Sequence, residues 1–94
     1  MSGRVFHQDR HELHGITVVL ETHDSKVYVG RFDSQDERGV HMHDVGVYDA
    51  DGAATSKADF LRRCDKFGIR PQHKDLLVPT AEVSAIERLV DALR

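Results

Sequence analysis

The chain has no tryptophan, a single cysteine and two prolines, and its aromatic residues amount to 6%. A lone Cys64 rules out an internal disulfide, so nothing in the sequence demands an oxidising compartment. The simplest place for Cys64 is a half-buried packing position; a free reactive thiol, activated by Arg62, Arg63 and Lys66 close in sequence, is the alternative. No apolar stretch approaches the length needed to span a bilayer. The opening "MSGRVFHQDRHELH" lacks the apolar core of a secretory signal, and the chain reads as cytoplasmic. A basic excess is also missing. The net charge is −3 with histidine neutral, so the global field does not draw in a phosphate backbone and any nucleic-acid site must be local. Seven histidines qualify this, because below about pH 6 many would protonate and the surface would turn positive. There is no phosphate-cradling glycine loop, no CxxC pair and no Ser-His-Asp motif. The sequence therefore assigns no active site and no cofactor, and the chain reads as a non-enzyme.

What is present suits one small domain, residues 1–94, with 39% hydrophobic and 31% charged residues. A chain this short buries a modest share of its surface, which favours self-association. Residues 6–13 suggest a short helix stopped by Gly15. "GITVVLET" alternates β-branched residues and predicts a strand. "KVYVGRFDS" predicts a second strand, in which an internal Gly30 implies a sharp bend. "QDER" reverses the chain into a third strand, "GVHMHDVGVY". After a loop at 49–58, Phe60, Leu61, Cys64 and Phe67 recur at helical spacing ahead of Gly68, predicting a helix over 59–67. "DLLVP" at 75–79 reads as a brief buried strand. In the last segment, Val83, Ile86, Val90 and Leu93 recur every three to four residues, with Thr80 as a possible N-cap. Periodicity alone favours a helix there.

This order resembles the Sm-like (LSm) family, in the form of a divergent bacterial or phage-type member. The resemblance rests on Gly15, Val18, Leu20, Val27, Gly30, Phe32 and Asp36, which fall at the spacing of the first Sm motif within residues 14–45. Val78, Val83 and Ile86 keep the spacing of the second. It implies a mainly β fold: a small, strongly bent five-stranded Sm-like (SH3-type) barrel with an N-terminal helix and a short helical insertion, 59–67, before strand 4. It also makes residues 82–87 the fifth strand, against the helical periodicity. The chain departs from the family's uridine pocket at two places. Gly39 or Val40 stands where the family has an Asn, and Pro79-Thr80 stands for Arg-Gly. Neither glycine nor valine offers a side chain to read a base edge.

Asp36 is expected to anchor the second turn by accepting backbone N–H bonds. In a ring, the resemblance places these turns around a pore, where Arg38 can stack on a base or pair with phosphate. The resemblance thus nominates Asp36, Arg38, Gly39 and Thr80 as RNA-binding positions. It implies a homo-oligomeric ring of about five to seven copies, possible single-stranded RNA binding and no membrane partner. The expected function is a scaffold in RNA metabolism with weak or altered RNA binding. The alternative is a protein-interaction ring that has lost RNA. His41 and His43 share a strand face and can offer two imidazoles to a metal, but nothing in the sequence supplies further ligands, so no metal site is assigned. His7, His11 and His14 fall on one possible helical face, and "HELH" is one residue short of HExxH. Solvated surface histidines are the simpler reading in both cases.

Overall fold

A computed structural model describes residues 13–94. The helix expected over 6–13 and the positions of His7 and His11 therefore lie, but for Leu13, outside the described residues. Five strands follow: β1 (Thr17–Thr22), β2 (Lys26–Asp36), β3 (Gly39–Asp49), β4 (His73–Pro79) and β5 (Val83–Arg88). Helix α1 (Lys57–Phe67) precedes β4, a 3₁₀ turn (Thr80–Glu82) joins β4 to β5, and a short α2 (Leu89–Ala92) follows β5. All strand pairs are antiparallel and form one sheet in the order β4-β3-β2-β1-β5.

Strands β1 to β3 bury both faces, which explains why their hydrophobic residues run on rather than strictly alternate. One face gathers Val18, Leu20, Phe32, Val40, Met42, Val45 and Val78, with Val83 and Ile86 packed against them. All five strands contribute to this single cluster. The opposite face carries Val19, Val27, Val29 and Tyr48, covered by Leu61 and Cys64 of α1 and Leu89 of α2. Each fully buried aliphatic side chain of this kind contributes about 1.5–3 kcal/mol. Burial also pushes the Cys64 thiol up from its ordinary pKa, so Cys64 is a packing residue and not an activated nucleophile.

The sheet is curled, and the curl is legible in two hydrogen bonds. Thr80 N donates to Arg38 O at 3.2 Å, and His23 N donates to Glu82 O at 3.1 Å. Thr80 and Glu82 are two residues apart, a span of at most about 8 Å. Arg38 and His23 flank the two ends of β2, which would hold them more than about 33 Å apart if straight. Strand β2 must therefore fold back on itself. Its pairing with β3 skips register between Val29 and Arg31, at Gly30, and Asp44 on the facing strand takes a positive φ of 52°. A Cβ at Gly30 would lie 2.9 Å from the His43 carbonyl oxygen, so the bend requires glycine.

Curling does not close the sheet. Among the described residues no ladder joins β4 to β5, which stand as the two edges, so the sheet is not closed into the expected barrel. The fifth strand expected over 82–87 is present as β5, although periodicity alone favours one helix through residues 80–93. Val83 pairs with Thr22 and Ile86 with Leu20, with a register shift between Glu21 and Thr22 that leaves Ser84 as the extra residue. That bulge puts two residues three apart on the same face of a strand, imitating helical spacing. Only Leu89–Ala92 is helical. Helix α1 begins two residues earlier than its apolar pattern, because Ser56 Oγ accepts from Asp59 N and caps it. Strand β4 likewise starts earlier, at His73.

Candidate functional site

The turn between β2 and β3 is built by Asp36. Its Oδ1 accepts from the backbone N–H of Arg38 at 2.8 Å and of Gly39 at 3.3 Å, the expected turn anchor. Its Oδ2 lies 3.1 Å from His41 Nε2 and 3.5 Å from Arg38 Nη2. The Arg38 N–H, opposed by partial loss of solvent and reinforced by His41, holds the Asp36 carboxyl below the usual carboxylate range. Thr80 docks on the same corner: its N donates to Arg38 O, and its Oγ1 donates to Glu37 O at 3.4 Å. Gly39 pairs with Pro79. The four nominated residues, 36, 38, 39 and 80, thus meet at one corner although Thr80 is more than forty positions downstream in sequence.

Their chemistry is more restricted than their position. Gly39 has φ 150°, and a Cβ there would collide with the Val78 carbonyl. No base-reading side chain can stand at that position. The Arg38 guanidinium is 70% exposed and turned back on Asp36, with Glu37 beside it. Such an exposed pair contributes little to stability, so the arginine remains available to an anion.

His41 and His43 do not share a ligand. His41 engages Asp36, whereas His43 Nδ1 lies 2.6 Å from Asp75 Oδ1 and its Nε2 lies 3.4 Å from Asp33 Oδ1. Asp33 in turn offers its backbone oxygen to His14 Nδ1 at 2.7 Å. The hydrogen bond to Asp75, opposed by partial desolvation and aided by Asp33, raises the His43 pKa above its ordinary value. Partial desolvation pushes Asp33 up, but bonds from Ser34 and His43 outweigh it and leave that carboxyl low. The result is an ionic ladder running from β4 through β3 to β2. Among the described residues no group of three or more His, Cys, Asp or Glu side chains is arranged to hold a metal ion.

A third feature escaped the sequence. Between α1 and β3 lies a groove of about 440 Å³ with Phe60, Cys64 and Phe67 on its walls and Arg63, Arg70 and Gln72 at its rim. Phe67 is 75% exposed despite its place in the helical apolar stripe. Its spacing signalled a core residue; only the packing reveals that α1 turns Leu61 and Cys64 inward and leaves Phe67 outside.

The fold so described is a small, mainly β domain of five antiparallel strands in one open, curled sheet. It is similar to a chain in the crystal structure of the NatC complex bound to CoA, with a TM-score of 0.57 and 14% sequence identity, covering 89% of this chain and 92% of that one. At that identity the likeness concerns the fold alone. No family model and no curated protein matches the chain. Among the described residues no helix is long and apolar enough to cross a membrane.

Proposed function

We propose that this chain is a non-enzymatic, Sm-like ring subunit, its bent sheet serving as an SH3-type barrel, and that the ring is a cytoplasmic scaffold in RNA metabolism. The observation that carries this reading is the pair of open edges, β4 and β5, on a sheet already curled at Gly30. Unpaired strand edges recruit other strands. The β4 edge of one copy adding to the β5 edge of the next is a head-to-tail contact, and a curled subunit repeats it around a closed ring. The Asp36–Thr80 corner recurs in every subunit. Arg38 then supplies one weakly held guanidinium per copy for phosphate or base, giving weak, sequence-tolerant contact with single-stranded RNA.

A second reading keeps the ring and drops the RNA, leaving a protein-interaction scaffold. Gly39 favours it, because the backbone there excludes any side chain able to read a base.

Sizing by light scattering across a dilution series comes first, and a monomer at every concentration overturns both readings. Labelled oligo-U and oligo-A are then titrated at two salt concentrations. Binding that weakens steeply with salt and falls in Arg38→Ala supports the RNA reading. An intact assembly that binds neither oligonucleotide at low salt supports the protein scaffold.

A further inference from the structure

Charge is not spread evenly over this chain. Residues 57–70 hold Lys57, Arg62, Arg63, Lys66 and Arg70 against only Asp59 and Asp65, in a protein whose total is −3. Two of these cations are already engaged: Lys57 Nζ binds Glu21 at 2.8 Å and Arg62 Nη2 binds Asp59 at 2.6 Å. Arg63 and Arg70 have no carboxylate partner among the described residues, and Lys66 Nζ sits 5.4 Å from the Phe67 ring centroid. The uncommitted cations therefore lie around Phe67, the most exposed aromatic side chain among the described residues, and the groove beside it. Phe60, which lines the groove beside Val47 and Cys64, packs against Tyr48 with ring centroids 5.3 Å apart.

From this juxtaposition we infer that the α1–β3 groove is a docking site for a short acidic segment of a partner protein, with a large apolar side chain seated against Phe60 and Phe67 and flanking carboxylates on Arg63 and Arg70. The charge pattern selects this occupant over nucleic acid. A nucleic-acid strand carries its charge along its whole length and must leave the groove across a surface that is acidic overall, with Asp59 and Asp65 on the helix itself. A peptide with two or three carboxylates presents charge only where the cations are. Planar guanidinium groups suit bidentate carboxylate pairing, and an apolar anchor in a pocket ringed by charge is the usual anatomy of a small protein interface. The site does not depend on the Asp36–Thr80 corner or on ring assembly.

A displayed library of random twelve-residue peptides, panned on the wild-type protein and counter-selected on the Arg63→Glu/Arg70→Glu double variant, tests the inference. Enriched sequences are expected to place acidic residues on both sides of a Phe, Leu or Trp. Labelled copies of those peptides should lose about tenfold or more in affinity with the double variant and with Phe67→Ser, and should weaken in high salt. All three positions are exposed, and melting curves verify that each variant folds. No enrichment over the counter-selection, or enriched peptides without carboxylates, overturns the inference. So does oligo-U binding that the double variant abolishes, which would make this a nucleic-acid groove. Loss of self-association in the double variant would make it a contact between copies and equally overturn the inference.

Discussion

At the scale of single residues, one glycine and one histidine carry the sharpest consequences. Gly39 closes the β2–β3 turn at a positive φ with the Val78 carbonyl directly over it. Alanine there must displace β4 from β3, and Gly39→Ala is expected to destabilise by about 2–4 kcal/mol, read as a lowered urea midpoint with unchanged slope. A loss below about 0.5 kcal/mol would show that the turn relaxes freely. His43 makes a different prediction. Its two ring nitrogens face Asp75 and Asp33, and its pKa stands above the ordinary 6.5. A group raised on folding stabilises fully below its unfolded value, and that contribution disappears as pH rises through the folded one. Arg31, Lys74, Asp44 and His14 also border the pair and set its field. The melting temperature of the wild type should therefore carry a component that falls as pH climbs above 6.5. His43→Gln keeps hydrogen bonding but cannot titrate, so this component should vanish. Identical pH slopes in the two proteins would remove His43 from the account.

At the scale of elements, the sequence was most readable where one local rule decided the outcome. Strands β1 to β3 followed from alternation and β-branched residues, and the bend followed from a glycine inside an apolar run. Helix α1 followed from spacing and the Gly68 stop, with Ser56 as the cap that extended it. Ser56→Ala should cost about 1 kcal/mol by removing the acceptor of the Asp59 N–H. Fraying should be confined to the first turn, visible as faster amide exchange at Asp59 and Phe60 while β1 amides are unchanged; uniform acceleration throughout would mean that α1 and the sheet open as one unit. Legibility failed where a long-range partner decided. The Ser84 bulge is imposed by pairing with β1, which no local pattern announces, so Val83 and Ile86 read as helical. The motif resemblance identified that strand because it carries the spacing that pairing produces. The candidate corner was legible for the same reason, since Asp36, Arg38 and Gly39 are neighbours and Thr80 came from the second motif. The ladder through Asp33, His43 and Asp75 was not, because Asp75 reaches His43 from 32 residues away. Nor was the groove, which needs the rotation of α1 as well as its existence.

At the scale of the whole molecule, the sheet's two free edges are the feature that demands a consequence. An edge that is neither closed, covered nor fully charged is a template for another strand. Closure fails here: β4 and β5 are joined by a three-residue turn, yet no ladder forms between them. Charge guards only part of each edge: Lys74 and Asp75 stand at one end of β4 with Pro79 at the other, and Glu87 and Arg88 at the end of β5, while Leu77 is exposed on β4 and Ser84 and Ala85 on β5. If copies join β4 to β5, folding and assembly share one free energy, and the melting temperature must rise with protein concentration. Like charges placed on both edges, Leu77→Lys with Ala85→Lys, should break that link. The double variant is expected to elute as a monomer, to melt at one temperature across a hundredfold dilution, and to keep the wild-type circular dichroism. Pairing Leu77→Lys with Ala85→Glu in one chain should restore the assembly, because each junction then joins opposite charges. A concentration-independent wild-type melting temperature would place the edges in water, leaving the curl at Gly30 as a property of the single chain alone.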